Sequence, residues 1–242
     1  MKYRRSSPSR SLKVCRTTSV GSMSRPNPNS DTFEVLFQGS RNLGIELNRT
    51  AITQMIRHVT LVSEWGTRVN LTSMGTIGEM VIFHLLDSLT LFKVVPMGCP
   101  MTVLDLGTGA GFPGLVVRIA DPSKQVTLLD RSAKKIVFLK HVAKDLGLGG
   151  IRFQNSTLDA VILDSGVSKF DLIVSRAFSS DPLLPDRICD LLKPGGLVVR
   201  MAGPSSKLDE PQLAYYAQSD IWEGTLPSSS SFRRVIAYRR NY

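Results

Sequence analysis

The sequence predicts an α/β fold built on a mostly parallel β-sheet, and three observations support this prediction. From Met101 onward, short apolar segments of strand length alternate with segments of helical periodicity. A glycine-rich loop follows the first of these strands, which is where folds of this class bind ligands. The chain of 242 residues is 42% hydrophobic, with a mean hydropathy of +0.02, and so is suited to one main domain with a sizeable core.

Residues 1 to 31 are predicted to form a disordered basic tail, because they are rich in Ser, Arg and Pro and contain few large apolar residues. Seven of the 30 basic residues precede the first acid, Asp31, so that 23 basic residues remain against 20 acidic ones, a net charge of +3. Such a mild charge permits an RNA partner without indicating one. An acid-free Arg/Ser segment is also typical of an organelle transit peptide, and Met23 is an alternative start of the chain.

The sequence contains no apolar run of the roughly 18 residues that a membrane span requires, and its first residues are basic rather than apolar. We therefore expect no membrane partner and no secretory signal. Cys15, Cys99 and Cys189 form no CxxC pair, which favours reduced thiols in an intracellular protein, and no metal-ligand spacing is visible. The expected protein is a cytoplasmic monomer, or one of an organelle matrix or stroma if the tail directs import.

Residues 32 to 242 are predicted to form one domain, with helices up to about residue 95. The segment EVLFQGS at 34–40 resembles a protease-site scar, but its apolar residues continue a helix face and we interpret it as native sequence. Two further apolar stripes at helical spacing follow, at 50–66 and 78–92, and are expected to pack on the sheet. The residues that carry these three patterns are Phe33, Leu36, Phe37, Leu43, Ile52, Met55, Ile56, Val59, Val62, Met80, Phe83, Leu86, Leu89 and Leu91.

Five strands are predicted in the order MTVLDL, QVTLLD, IRFQ, FDLIVS and GGLVVRMA, with helices near 113–120, 133–146, 157–164 and 181–192. This alternation predicts βαβ units with helices on both faces of the sheet. Two more strands, IWEGTL and FRRVIAYRR, are separated only by PSSSS. Because that connection is too short for a crossover helix, these two strands are predicted to be antiparallel.

The loop after the first strand contains Gly107, Gly109, Gly111 and Gly114, which leave the main chain accessible to a ligand at the start of a helix. Two ligand classes compete for such a loop. A dinucleotide requires a third glycine where Phe112 stands, so that fingerprint fails. S-adenosylmethionine carries an ammonium group and a sulfonium, which explains an acid before the loop, Asp105. In both interpretations Asp130, at the end of the next strand, accepts hydrogen bonds from ribose hydroxyls.

Six motifs together resemble the bacterial glucose-inhibited division protein B family over roughly residues 33 to 240: NLTSM (70–74), HLLDSL (84–89), LDLGTGAGFPG (104–114), LLDRSAKKIVFLKHV (128–142), SRAF (175–178) and LLKPGG (191–196). That family methylates the 7-nitrogen of a guanine in small-subunit (16S) ribosomal RNA. The resemblance implies a Rossmann-like S-adenosylmethionine-dependent methyltransferase fold, with a seven-stranded sheet whose last strand is antiparallel. It also implies the small-subunit RNA, or the small ribosomal subunit, as partner.

The resemblance assigns cofactor contacts to Gly107 and Phe112 in the loop, to Thr157 and Leu158 after the third strand, and to the arginine of SRAF, Arg176. The full predicted cofactor-binding set is Asp105, Gly107, Gly109, Gly111, Phe112, Asp130, Thr157, Leu158 and Arg176. Three positions depart from the family pattern, because Ser156 replaces an arginine, Leu158 an acid and Ala202 a lysine. By resemblance alone, Asn70 and Asp87 support the site.

We predict no catalytic acid or base. A guanine 7-nitrogen already has an in-plane lone pair, so alignment and desolvation can supply most of the catalysis. Neither Cys99 nor Cys189 is placed as a nucleophile, and no [ND]PP[YF] segment, typical of amine methylation, stands where the chain has SRAF. His84 is interpreted as a packing residue, and His58 and His141 as helix-surface residues.

Two alternatives remain open at this stage: a methyltransferase with a non-RNA acceptor, and a nucleotide-binding module without catalysis. The basic residues of RSAKK (131–135) and RR (233–234) are interpreted as solvated faces. Lys134, Lys135 and Lys140 alternatively form a basic patch near the cofactor.

Overall fold

The computed structural model describes residues 28–66, 69–164, 169–176, 187–203 and 215–241. Most of the predicted tail lies outside these ranges. The first helix begins at Pro28, ahead of the expected domain boundary at residue 32. No helix within the described ranges is both long enough and apolar enough to cross a membrane.

Three helical segments precede the sheet: α1 (Pro28–Asn42), α2 (Arg49–Gly66) and α3 (77–93). The segment α3 begins with a capping box, in which the Thr76 hydroxyl accepts from the Glu79 amide at 3.2 Å and the Glu79 carboxylate accepts from the Thr76 amide at 3.1 Å. Its hydrogen-bond pattern then changes along its length: α-helical at Ile77–Met80, π-helical at Val81–Leu86, α-helical at Asp87–Leu89 and 3-10 at Thr90–Lys93.

The sheet has seven strands in the order β3-β2-β1-β4-β5-β7-β6. The pairs among β1 to β5 are parallel, whereas β7 is antiparallel to both of its neighbours. Its pairing with β6 agrees with the short PSSSS connection, and its pairing with β5 agrees with the antiparallel last strand that the resemblance implies. The predicted seven-stranded, mostly parallel sheet is therefore confirmed. The strands are β1 (Met101–Leu106), β2 (Lys124–Asp130), β3 (Ile151–Asn155), β4 (Phe170–Ser175), β5 (Leu192–Ala202), β6 (Tyr216–Thr225) and β7 (Phe232–Arg240).

Helices connect the parallel strands: α4 (Gly114–Ala120) after β1, α5 (Ala133–Asp145) after β2 and α6 (Leu158–Leu163) after β3. These agree with the predicted helices near 113–120, 133–146 and 157–164. The first half of the fourth predicted helix, 181–192, lies outside the described residues. Its described end is a 3-10 turn at Cys189–Leu191 that leads directly into β5.

Apolar side chains form two buried clusters, one on each face of the sheet. Successive strand residues face opposite ways, so Val103 belongs to the first cluster and Leu104 to the second. The first cluster also includes Leu36, Met55 and Leu86 from the three N-terminal helical segments, which confirms that these segments pack on the sheet. This packing brings α2 and α3 beside the glycine loop.

Candidate functional site

The glycine loop at the carboxyl end of β1 adopts a backbone that only glycine adopts readily. Gly107, Gly109 and Gly111 have φ angles of +68°, +60° and +97°, in the left-handed region. Gly114 is required for a different reason, since a Cβ there would lie 2.4 Å from Leu128 Cδ2 and 2.7 Å from Asp105 Oδ2. The absence of side chains at these glycines thus permits both the turn and the close packing of α4 on the sheet.

Asp105 lies beneath this loop and is 1% exposed. Its Oδ2 accepts hydrogen bonds from the Thr108 hydroxyl at 2.6 Å and from the Gly114 amide at 2.8 Å. Its Oδ1 is buried and has no hydrogen-bond partner among the described residues. Burial raises the pKa of Asp105 to about 6, against the effect of these two hydrogen bonds. The carboxylate therefore braces the loop from below, and its predicted contact with a ligand ammonium group stays a prediction.

Two cavities open on either side of the loop, and both are lined by Gly107. The first, which we call the strand-side cavity, has a volume of about 500 Å³. It is lined by Leu106, Gly107, Leu129, Asp130, Arg131, Lys135, Ser156, Thr157, Leu158, Asp159 and Ser175. The predicted residues Asp130, Thr157 and Leu158 thus lie together on its wall.

Asp130 lines the strand-side cavity and also contacts the loop. Its Oδ2 accepts from the Gly109 amide at 3.0 Å, its Oδ1 accepts from the Ser132 amide at 2.8 Å, and Lys135 Nζ lies 3.7 Å from Oδ2. The Thr157 side chain caps α6 by accepting from the Ala160 amide at 3.3 Å. Both predicted residues therefore have a structural role in addition to facing the cavity.

The second cavity, which we call the helix-side cavity, has a volume of about 390 Å³ and lies between the loop, α3 and the ends of β5 and β7. The predicted residues Gly107, Gly109, Phe112 and Arg176 line it, whereas Gly111 packs against Leu115 and Leu139 and lines neither cavity. Its full lining is Leu71, Met74, Phe83, His84, Asp87, Gly107, Thr108, Gly109, Ala110, Phe112, Arg176, Met201, Ala202, Gly203 and Arg233.

Phe112 is held between two imidazole rings. The His58 and His84 rings each lie 4.6 Å from the Phe112 ring, at interplanar angles of 21° and 20°. The Arg176 guanidinium carbon lies 5.4 Å from the centre of the same ring. Phe112 is only 3% exposed, so its main contribution is to fix the loop against α2 and α3.

The prediction that His58 lies on a helix surface is wrong, because the residue is fully buried. Its Nε2 donates to the Ala110 carbonyl at 2.7 Å, and burial lowers its pKa to about 4. The signal was present in the sequence: His58 follows Met55 by three residues and precedes Val62 by four, which places it on the apolar stripe of α2. His141, by contrast, is exposed as predicted.

His84 is buried, as predicted, but it also lines the helix-side cavity. Its Nδ1 lies 3.2 Å from Arg176 Nη1 and its Nε2 lies 2.8 Å from the Thr72 hydroxyl. Because a guanidinium only donates, Nδ1 accepts, and the proton of the neutral ring lies on Nε2. Burial, and next the charge of Arg176, lower the pKa of His84 to about 4. The ring is therefore neutral near pH 7.

Asp87 connects two arginines in the same cavity. Its Oδ1 accepts from Arg233 Nε at 2.7 Å, and its Oδ2 lies 3.7 Å from Arg176 Nη1. Burial raises the pKa of Asp87, and the two guanidinium groups oppose that shift. The interpretation of Arg233 as part of a solvated face is wrong, because its side chain is only 15% exposed and lines the cavity. Its neighbour Arg234 pairs instead with Glu223 on β6.

The residues around the two cavities fit S-adenosylmethionine. The strand-side cavity offers the Asp130 carboxylate for ribose hydroxyls and an apolar wall, including Leu129 and Leu158, for an adenine ring. At Gly107 a Cβ would meet nothing within 4 Å, so the loop leaves open space at the residue that both cavities share. Asp105 lines neither cavity, and its Oδ1, which has no partner among the described residues, is buried beneath the loop.

Comparison with known proteins gives one family and several relatives. A family model described as rRNA small subunit methyltransferase G, GidB, matches residues 51–221. A protein of that name from Clostridium botulinum is 32% identical over 174 residues, which are 72% of this chain and 73% of the relative. Another from Acinetobacter baumannii is 36% identical over 148 residues, which are 61% of this chain and 69% of the relative.

Two solved structures share the fold. A methyltransferase from Pyrococcus furiosus has a TM-score of 0.55 at 14% identity and covers 78% of this chain and 99% of its own. A putative methyltransferase, yhhF, from Escherichia coli has a TM-score of 0.51 at 18% identity and covers 64% of this chain and 86% of its own. At these identities the likeness concerns the fold alone, and it agrees with the Rossmann-like sheet described above.

Proposed function

The chain belongs to the rRNA small subunit methyltransferase G (GidB) family, and from this premise we propose that it transfers a methyl group from S-adenosylmethionine to the 7-nitrogen of a guanine in 16S ribosomal RNA. One observation carries the proposal beyond family membership. Two cavities lie on either side of the loop and share Gly107 as a lining residue, which has no side chain to stand between them. A methyl donor in one and an acceptor base in the other would face each other across the loop.

The strand-side cavity is proposed to hold the cofactor. Asp130 accepts from the ribose hydroxyls, Thr157 and Leu158 border the adenine, and the loop glycines Gly107 and Gly109 leave room for the amino-acid end. When bound, S-adenosylmethionine supplies a methyl group activated by its sulfonium. Leu158 departs from the acid of the family pattern, so we propose that it contacts the cofactor through the main chain or through its apolar side chain, which lines the cavity.

The helix-side cavity is proposed to hold the acceptor guanine. Its apolar residues, among them Leu71, Met74 and Phe83, exclude water from the acceptor nitrogen. The 7-nitrogen needs no proton removed before it reacts, so the protein has to align the base and keep it dry. His84 is unsuited to proton abstraction, because Nδ1 is occupied by Arg176 and Nε2 already carries a proton. This supports the assignment of no general base.

The proposal is tested by methyl incorporation from labelled S-adenosylmethionine into unmethylated small-subunit RNA, free and in particles. The matched control is the same RNA transcribed with 7-deazaguanosine, which pairs normally but lacks the 7-nitrogen. We expect transfer to the first RNA and none to the second. Equal transfer to both would reject the 7-nitrogen, and transfer only to other acceptors would reject RNA. Cofactor binding without any transfer would favour a non-catalytic nucleotide-binding module.

The place of action and the assembly state are parts of the same proposal. We propose a monomer that acts where small ribosomal subunits are assembled in the cytoplasm, with an organelle matrix or stroma as the alternative. Light scattering of the purified protein tests the first, and fractionation followed by intact mass of the native protein tests the second. A native mass that lacks the basic N-terminal residues, found in an organelle fraction, would favour the alternative.

A further inference from the structure

Three distant parts of the chain meet at one carboxylate in the helix-side cavity. Asp87 comes from α3, Arg176 from the end of β4 and Arg233 from the start of β7. Asp87 is 8% exposed and each of its oxygens faces a different guanidinium group. The carboxylate therefore sets the position of the two arginines relative to each other.

Both arginines retain donors that this arrangement does not use. Arg233 donates from Nε to Asp87 and from Nη1 to the Phe232 carbonyl at 2.9 Å. Arg176 directs Nη1 at His84 and Asp87. Within the described ranges, Arg233 Nη2 and Arg176 Nε and Nη2 have no hydrogen-bond partner, and both side chains line the cavity. The cavity thus contains free N–H donors on two fixed planar cations.

The charges of the cluster do not cancel. Two guanidinium groups share the Asp87 carboxylate on the wall of the cavity. The charge of Asp105 also acts on Arg176, but Asp105 lines neither cavity, so the cavity wall itself presents two cations and one anion. Guanidinium groups bind oxyanions with two parallel hydrogen bonds, and a phosphodiester carries a single negative charge. A phosphate group of a nucleic acid strand therefore matches the cluster in both charge and donor geometry.

We infer that Arg233, held by Asp87, binds a backbone phosphate of the acceptor RNA next to the guanine, while Arg176 keeps the cofactor contact that the resemblance assigns to it. This inference rests on the proposed function, because it assumes that RNA enters the helix-side cavity. Asp87 is then a positioning residue, since it touches the arginines rather than the RNA. The other source of an oxyanion is the carboxylate of the cofactor. The phosphate is assigned to Arg233 because this residue, unlike Arg176, is not among the residues that the resemblance assigns to the cofactor. Arg176 and Gly109 line the same cavity, and we propose that they hold the amino-acid end of the cofactor.

The test compares the salt dependence of RNA binding by the wild type and four variants. Arg233→Gln removes one charge of the pair, and Arg233→Lys keeps the charge but loses the planar donor fork. Arg234→Gln is the matched control, because it removes the same charge one residue away on the same strand, from a side chain paired with Glu223. Asp87→Asn removes the negative charge that both arginines share and replaces one of its two acceptor oxygens with an NH₂ donor. For each variant, the dissociation constant for unmethylated small-subunit RNA is measured at several salt concentrations, and that for S-adenosylmethionine by calorimetry.

We expect Arg233→Gln to weaken RNA binding and to reduce the slope of log K against log[salt] by about 0.7 to 0.9, the value of one lost phosphate contact. Arg233→Lys should keep the slope while binding RNA more weakly. Asp87→Asn should weaken RNA binding more than Arg234→Gln does. The cofactor dissociation constant should stay within about twofold of the wild type in the three variants at Arg233 and Arg234. Thermal melting identifies any variant that fails to fold. If Arg233→Gln does not fold, the comparison of RNA binding by Arg233→Lys and the wild type still tests the inference.

Three outcomes would overturn the inference. If Arg233→Gln and Arg234→Gln change the slope equally, the arginine acts as general surface charge. If Arg233→Gln weakens cofactor binding and leaves the RNA slope unchanged, the anion is the cofactor carboxylate. A wild type that binds the cofactor but no RNA would refute the proposed function and this inference with it. Normal methylation of RNA together with an unchanged slope in Arg233→Gln would refute the inference alone.

Discussion

Phe112 lies between the His58 and His84 rings, and this stack makes folding stability depend on pH. The pKa of His58 is 6.5 in the unfolded chain and about 4 in the folded protein, because burial disfavours the charged ring. Below pH 6.5 the unfolded state therefore binds more protons than the folded state. The free energy of unfolding should fall as the pH is lowered from about 6.5 to about 4, by a few kcal/mol in total for one such group.

The variant His58→Phe tests this linkage, because it keeps an aromatic ring beside Phe112 but cannot be protonated. We expect urea unfolding at several pH values to show a smaller loss of stability between pH 6.5 and 4 than in the wild type, with the remaining loss coming from His84. The control is His141→Phe, which replaces an exposed histidine outside the Phe112 stack. An identical slope in wild type and His58→Phe would show that His58 is not a buried neutral ring.

Gly114 supports a second prediction at the residue scale. The Cβ of Gly114→Ala would lie 2.4 Å from Leu128 Cδ2 and 2.7 Å from Asp105 Oδ2, so either α4 or the carboxylate has to move. We expect a loss of about 2 kcal/mol in stability and weaker S-adenosylmethionine binding in calorimetry. Gly78→Ala is the control, because its Cβ would meet nothing within 4 Å. Unchanged stability and cofactor affinity in Gly114→Ala would contradict the close approach.

The sequence predicts some residues of the candidate site and misses others. The sequence predicts Asp105 and Phe112 as site residues from their spacing to the loop glycines, because all of these residues lie within one short segment. The contact between Asp87 and Arg233 joins residues 146 positions apart, and no local pattern distinguishes Arg233 from Arg234. Which of the two faces the cavity depends on the pleat and register of β7, and these are set by its pairing with β5 and β6.

At the scale of elements, α3 departs most from the expected regularity. Its apolar stripe predicts a helix, and a helical segment is present, but Val81–Leu86 has π-helical hydrogen bonds. A π turn changes which residues face the same side of a helix, and such turns occur frequently at functional sites. His84 lies within this turn and Asp87 directly after it, and both line the helix-side cavity. The π turn was not predictable, because an apolar stripe specifies a face and not a hydrogen-bond pattern.

The strand β7 carries a prediction about the whole sheet edge. It lies between β5 and β6, so its central residues are covered on both sides although they are near the end of the sequence. Ile236 is 3% exposed, and Ile236→Ala should cost about 3 kcal/mol in urea unfolding. Phe232→Ala, on the same strand but 41% exposed, should cost less than about 1 kcal/mol. Similar losses in both would mean that β7 is not an internal strand.

At the scale of the whole molecule, the N-terminal helical segments and the sheet share one buried cluster. Trp65 on α2 and Trp222 on β6 both pack against this cluster, although they lie at opposite ends of the described chain. The chain contains only these two tryptophans, so each can be observed alone in the variants Trp222→Phe and Trp65→Phe. Because the core is shared, we expect coincident urea midpoints from the two fluorescence signals. Separate midpoints would show that the helical segments unfold as a unit of their own.

The general architecture is predictable from the sequence, because it depends on local patterns that recur along the chain. Alternating strands and helices specify a parallel sheet, and the short PSSSS connection specifies the antiparallel end. The packing of α1, α2 and α3 against one face was also expected from their apolar stripes. The sequence does not predict that the segments before Met101 border the helix-side cavity. Long-range packing decides which loop each helix contacts.

The position of Gly107 between the two cavities has a consequence for inhibitor design. A compound that joins an adenosine to a purine through a short linker could occupy both cavities at once, with the linker crossing the residue that has no side chain. Such a bisubstrate compound gains from the high effective concentration of its second half once the first is bound. Gly107→Val would narrow this crossing, so resistance to the compound and loss of the protein's own reaction should arise together.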